Sequence, residues 1–442
     1  MSEQIRTNST KKVLIVTYYW PPSGGPGMQR VLKFVKYLPS LGWTPIILTV
    51  KNGEYPAIDE TLLKEIPKEC KVYSTKTIEF FNFFKKITGR KKIETYILNQ
   101  ENPSVFERLS RWVRLNLFVP DGRVGWYYFA VKKGIDIIKR EKPDIIFSCS
   151  PPHSVQLIGK RLAEKTGVKW VADFRDPWTE AFWDKGLKRI SWAKKRNLAY
   201  EEQVLVKANT LTTVSKGFAK KLAKKEPNRF IILPNGYDGS DFNIEKTQSK
   251  KFRITYTGHI AKSQNPVNFF KALTSIPKDF KELLEVKFFG SFDISVQESI
   301  KEMNLEQIVN LNPYVTHDKA LEHMVNSELL LLLIPKKNGE GIMTGKLYEY
   351  LASKNFILGL GEEKGEVAEV LEECNSGVIV NYEADVHGLI MDRINKWRNG
   401  EPLSVKEDQV LKYDRKHLTE NLVSIFKQTL ESQKQVENFP RT

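Results

Sequence analysis

The sequence predicts an α/β protein of two doubly wound, Rossmann-like domains facing a central cleft. Length is the first observation behind this: 442 residues exceed one ordinary core and suit two domains of roughly 100–200 residues each. The second is a unit that occurs twice. A short apolar strand runs into a Gly-bearing or polar turn and then an amphipathic helix, once from Val13 and again from Arg253. The third is the alternation of strands and helices along the whole chain, which implies parallel sheets.

In chain order, the first half opens with a strand over Val13–Thr17, the turn Pro21–Gly27 and a helix with Val31, Phe34, Val35 and Leu38 on one face. Strands follow at Pro45–Val50, Asp144–Ser148, Lys169–Asp173, Thr210–Val214 and Phe230–Leu233. The polar stretch Ser240–Lys251 reads as a linker, giving an N-terminal domain over 1–240, a linker over 241–251 and a C-terminal domain over 252–412. That domain opens with a strand at Arg253–Thr257 and a helix carrying Phe269, Phe270 and Leu273. Its other strands are Val286–Phe289, Leu329–Ile334, Phe356–Leu360 and Gly377–Val380. In the segment 413–442, an amphipathic helix over His417–Leu430 either caps the second domain or crosses back to the first.

With 41% apolar and 28% charged residues the chain has the material for packed cores and no compositional case for disorder. Its formal charge of +16 favours anionic partners. Cys70, Cys149 and Cys374 lie far apart with no CxxC pair, which excludes a disulfide framework or a zinc ribbon and fits a reducing cytoplasm. No apolar run reaches the ~20 residues of a spanning helix. The run after Lys12 meets Pro21 and Pro22 without a cleavage site, so it reads as a buried strand rather than a signal peptide.

In open α/β sheets ligands sit beyond the carboxyl ends of the strands, so the loops there hold the candidate residues. Ser23, Gly24, Gly25, Pro26 and Gly27 form such a loop ahead of a helix, where backbone can approach an anion. Arg30 stands where a dinucleotide fingerprint would need its third Gly, which disfavours a nicotinamide cofactor. The loop Asn338 to Lys346 is no Walker A sequence, since Leu347 replaces the magnesium-binding Ser or Thr. It still suits a diphosphate, held by the amides of Thr344 and Gly345 and the charge of Lys346. Glu349, one turn on, would accept hydrogen bonds from a ribose diol.

Asp173, Arg175 and Asp176 follow a strand of the first domain and are expected to face the cleft, with His153 a second candidate there. An internal Arg–Asp ion pair that only shapes the loop is the competing reading. No D-x-D sequence occurs, which argues against a metal-held diphosphate. Between Ile78 and Arg140, 13 basic residues against 6 acidic ones are interleaved with Trp112, Phe118, Trp126 and several Phe, a pattern suited to an anionic membrane surface or to a solvated lysine-rich face. No nucleic-acid recognition motif accompanies this charge, so nucleic acid is not expected as a partner.

TYYWPPSGGPGMQRVLKFVKYLPSLGW, VADFRDPWTE, TVSKG, LPNGYD and GEGIMTGKLYEYLAS, in that order, resemble the signature segments of family 4 glycosyltransferases, which have the GT-B fold. The resemblance implies a retaining, metal-independent hexosyltransferase with no cofactor. Its co-substrate would be a UDP- or GDP-linked sugar, and its acceptor a lipid-linked glycan in cell-surface polysaccharide or glycoconjugate synthesis. It implies a cytoplasmic location, with peripheral contact at the inner face of the plasma membrane. By the same resemblance Gly24 and Gly25 approach the donor phosphates, Glu349 holds the ribose and Glu340 contacts the sugar. Glu340 and Glu349 are nine apart where the family usually has eight. Lys262 is the residue matching the family's diphosphate clamp, because His259 stands where Arg is usual. Arg175–Asp176 replaces a His-Asp pair, and a retaining reaction lets the leaving phosphate take the acceptor proton. A sugar-nucleotide epimerase of the same fold, or a non-catalytic basic membrane- or nucleic-acid-binding protein, are the alternatives.

Overall fold

The structure, a computed structural model, describes residues 10–55, 57–78, 105–181, 189–222, 229–336 and 341–432. The chain divides into two compact units, one holding the described residues up to Leu233 and those from Leu418 on, the other spanning Pro234–His417.

The N-terminal unit is built on a seven-stranded parallel sheet: β1 (Lys11–Val16), β2 (Trp43–Val50), β3 (Lys71–Thr75), β4 (Ile145–Ser150), β5 (Lys169–Phe174), β6 (Thr210–Thr213) and β7 (Phe230–Ile232), in the order β3-β2-β1-β4-β5-β6-β7. Its helices are α1 (Pro26–Tyr37), α2 (Val105–Leu117), α3 (Tyr127–Glu141), α4 (Ser154–Thr166), α5 (Ser191–Lys207) and α6 (Lys216–Leu222). Both faces of the sheet are covered, so β1 is apolar at every position from Val13 to Val16. Leu14 and Val16 enter one core cluster, Val13 and Ile15 the other.

The second unit has a six-stranded parallel sheet: β8 (Phe252–Ile260), β9 (Leu284–Phe292), β10 (Val309–Asn312), β11 (Leu329–Leu333), β12 (Phe356–Leu360) and β13 (Gly377–Val380), in the order β10-β9-β8-β11-β12-β13. Around it lie α7 (Val267–Thr274), α8 (Lys278–Lys281), α9 (Ile294–Glu302), α10 (His317–Val325), α11 (Gly345–Ala352), α12 (Glu366–Glu373), α13 (His387–Arg398) and α14 (Glu407–Leu411), and α15 (Arg415–Glu431) follows. Each sheet therefore starts in its middle, winds outward to one edge and returns to continue the other way. The two reversals, between β1 and β4 and between β8 and β11, are where such sheets bind ligands.

Two strands, β3 and β10, were not expected from the sequence. Both are edge strands at the same place in the two sheets; β3 buries none of its residues fully and β10 only Val309, so neither carries an apolar run. The stretch 241–251 is no linker. Lys246 Nζ donates to Ser327 O (2.8 Å) and Asn355 Oδ1 (2.6 Å), and Thr247 N to Asn326 Oδ1 (2.7 Å), which ties it to the second unit. The division falls instead after Leu233. Beyond it the Tyr237 amide donates to Tyr413 O and its carbonyl accepts from the Arg415 amide. From Leu418 onward α15 belongs to the N-terminal unit, where Leu418, Leu422 and Phe426 bury, Phe426 packing on Trp43 (5.2 Å) and Phe147 (5.7 Å).

Candidate functional site

In the N-terminal unit the Gly-rich loop heads α1. Gly25, at the N-cap with φ 98°, holds a left-handed conformation that L residues rarely adopt. Gly24 is engaged: its amide donates to Ala57 O at 2.8 Å, so it is not open to a phosphate. Gly27 brings the loop against Arg175, since a Cβ there would lie 2.4 Å from Arg175 Nη1. Arg175 in turn pairs with Asp176 at 3.0 Å, both side chains about a fifth exposed (20% and 21%).

His153 is stacked on Trp178, ring centroids 4.8 Å apart and planes 7° from parallel. Its Nδ1 is enclosed without a hydrogen-bond partner. Burial lowers the imidazole pKa against the pull of Asp121 and Asp176, leaving the ring neutral at pH 7. Gly27, Arg175, Asp176 and His153 thus lie beyond the carboxyl ends of β1, β4 and β5.

Asp173 does not belong with them, which corrects the sequence expectation. Its carboxylate is fully buried in a two-pronged ion pair with Arg30 (Nε–Oδ2 and Nη2–Oδ1, both 2.9 Å), and it also accepts from Thr212 Oγ1 (2.7 Å) and Cys149 Sγ (3.0 Å). Burial alone would raise its pKa; Arg30 and these donors outweigh that and hold it below the usual carboxylate range. A carboxylate on a strand end enclosed by apolar neighbours has to be paired. The sequence signal was Arg30 itself, one turn before Phe34 on the inward face of α1.

In the second unit Gly258, two residues before the end of β8, has φ 126°, and a Cβ there would meet Lys346 Nζ at 2.5 Å. Lys346, in the first turn of α11, lies over the Tyr256 ring (4.5 Å from its centroid) and donates to Tyr256 Oη at 2.9 Å. Burial pulls its ammonium down to about 8, opposed by Glu349, so it is still mostly protonated at pH 7. Thr344 is the N-cap of α11, but its hydroxyl caps nothing: Oγ1 is enclosed with no partner. Gly345 is exposed, with no atom within 4 Å of where a Cβ would be.

Glu349, one turn along, accepts from or shares a proton with His317 Nε2 at 3.1 Å. That hydrogen bond, with the charges of Glu349, Asp241 and Asp318, raises the His317 pKa despite partial burial. The sequence gives no signal for His317, which reaches Glu349 from the start of α10. Lys262 and His259 are exposed near the end of β8, and His259 Nδ1 is 2.9 Å from Ser291 Oγ. Lys346, Glu349, Thr344 and Gly345 are thus gathered at one helix end; Lys262 lies in the loop after β8. Glu340 falls outside the described residues.

A helix amino end, an uncapped hydroxyl, a desolvated lysine and a carboxylate one turn away make an arrangement for an anion that also carries hydroxyls. Solved structures share the two-unit fold. A glycosyltransferase from Rickettsia africae ESF-5 is 16% identical with a TM-score of 0.61, covering 96% of this chain and 100% of its own. HepE of Anabaena, solved in complex with UDP, is 10% identical with a TM-score of 0.61 over 95% and 100% of the two chains. The lipopolysaccharide outer core galactosyltransferase WaaB, in its apo form, is 13% identical with a TM-score of 0.56 over 95% and 99%. The fold is GT-B.

Residues 89–240 match the model of Glycosyltransferase Family 4. The chain is similar to that family over this stretch. Its sequence matches no curated protein.

Proposed function

We propose that the chain transfers a sugar from a UDP- or GDP-linked donor to a lipid-linked glycan acceptor, with retention of configuration, in the synthesis of a cell-surface glycan. One observation carries this: the amino end of α11, where Thr344, Gly345 and Lys346 present two amides, an unpartnered hydroxyl and a partly buried ammonium beside Glu349. Positive charge placed there in advance stabilises the charge that develops on the leaving diphosphate, and it does so without a metal. Glu349, oriented by His317, accepts from the ribose hydroxyls. HepE, of the same fold, was solved with UDP.

On the N-terminal unit, Asp176 binds acceptor hydroxyls, and Arg175 an anionic group of the acceptor. The leaving phosphate takes the acceptor proton, so His153, neutral and stacked on Trp178, shapes the site rather than acting as its base. A charge of +16 supports an encounter with the acceptor at an anionic membrane surface.

The test is binding and turnover with donor alone and with acceptor. UDP or GDP should bind the wild type and bind Glu349→Ala more weakly. Unchanged affinity would remove Glu349 from the site. Formation of an epimerised sugar nucleotide without acceptor would replace the transferase reading with an epimerase.

A further inference from the structure

The N-terminal unit carries a concavity that none of the residues discussed so far lines. It is a groove of about 470 Å³ between the end of α2, the start of α3 and the amino-terminal halves of α4 and α5. That volume is in the range of ligand pockets, roughly 300–1,000 Å³. One wall is a stripe on α5, Trp192, Arg196 and Tyr200, spaced four apart. The Arg196 guanidinium lies 5.1 Å from the Trp192 ring centroid and 5.3 Å from that of Tyr200, and its Nε donates to Tyr200 Oη at 2.7 Å. Across the groove are Leu117, Tyr128 and Lys160, whose ammonium donates to Gln203 Oε1 at 2.6 Å and lies 3.9 Å from Glu164 Oε1.

Two properties define what fits. The rim is apolar and open: Tyr128 is 69% exposed, Leu117 59% and Trp192 51%, with Trp112 and Leu198 exposed on the same two helices, α2 and α5. Scattered exposed apolar residues are ordinary, but large ones gathered around a concavity mark an interaction site. The charge is positive where a helix prefers negative. The first two turns of α5 carry Lys194, Lys195 and Arg196, and its first turn has no acidic residue. Cations at the positive end of a helix dipole are mildly unfavourable, and an anion bound beside them would offset that repulsion.

We propose that this groove seats an anionic phospholipid of a bilayer. Its phosphate meets Arg196, and its glycerol and upper acyl region lies along Leu117, Tyr128 and Trp192, docking the N-terminal unit on the membrane. This rests on the reading of a lipid-linked acceptor and moves the docking surface to α5, outside the basic tract of residues 78–140. Basic and aromatic side chains presented together suit an interface where charge and apolar insertion act at once.

The experiment is co-sedimentation of the full chain with vesicles of phosphatidylcholine alone and of phosphatidylcholine mixed with phosphatidylglycerol, without nucleotide. The expected result is binding to the mixed vesicles that weakens with salt. Arg196→Gln should lower it about fivefold, the effect of one interfacial charge. Trp192→Ser combined with Tyr128→Ser should abolish most of it. UDP affinity of each variant serves as the folding control and should not change, which separates failure of this proposal from failure of the transferase reading. Vesicle binding equal in the variants and the wild type, or equal for the two vesicle types, overturns the proposal. So does competition by inorganic phosphate at millimolar level, or a self-association of the wild type that the same variants abolish while vesicles fail to bind.

Discussion

The two units use one strand order and fill its reversal differently. In the N-terminal unit, the carboxylate on β5 is locked into the core by Arg30, and only Arg175, Asp176 and His153 remain toward the loops. Among the described residues of the second unit nothing of that kind fills the reversal. Gly258 leaves room above β8, and Lys346 occupies it as a partly desolvated cation whose partners are one hydroxyl and one aromatic face. One reversal is closed by a satisfied internal ion pair, the other held open with its positive charge in reserve. Similar backbones therefore do not imply similar sites: a side chain of α1 closes one reversal, and a side chain of α11 stands at the other.

The sharpest way to break this comparison is to remove one member of the buried pair. Asp173→Asn leaves Arg30 buried without its countercharge and should cost about 3–5 kcal/mol of stability, read by urea denaturation. Because the folded-state pKa of Asp173 is depressed, its contribution is present above its unfolded pKa and is lost as pH falls through the folded value. A loss below about 1 kcal/mol would mean that the pair is not structural.

Next in size is Glu349→Ala, expected to weaken nucleotide binding roughly 10- to 100-fold, the range for a hydrogen bond to a charged group, with little change in urea midpoint. A smaller effect concerns pH. His317 has a raised pKa, so its bond to Glu349 stabilises fully below the unfolded value near 6.5 and is lost as pH rises through the folded one. His317 is half exposed (52%), so solvent screening keeps the stability effect small. Nucleotide affinity should nevertheless decline across that window in the wild type and not in His317→Gln, as calorimetry at several pH values would show. The smallest expectation is Lys262→Ala. As an exposed cation it should change affinity by less than about 1 kcal/mol, and the change should vanish at high salt.

Much of the fold was legible because strands buried on both faces read as apolar runs: Val13 to Val16, Ile46 to Val50 and Leu329 to Leu333 announce themselves. The edge strands β3 and β10 did not, since an edge buries too little to need such a run. The placement of Lys346 and Glu349 at one helix end was legible from a Gly-rich loop opening a helix. Asp173 was misplaced, because a carboxylate at a strand end looks the same whether it faces a ligand or an arginine brought from 143 residues away. His317 was not legible at all, since its meaning lies wholly in the register that sets α10 beside α11. The stretch 241–251 looked like a linker by its polarity, yet polar side chains are also what bond a loop to a domain surface.

The central claim is that the amino end of α11 binds a nucleotide diphosphate, and calorimetric titration of UDP and GDP into the wild type, Lys346→Ala and Asp176→Asn tests it most directly. The account predicts that one nucleotide binds the wild type and Asp176→Asn alike and binds Lys346→Ala at least about tenfold more weakly. Equal affinity in Lys346→Ala and the wild type, or a loss confined to Asp176→Asn, would contradict it.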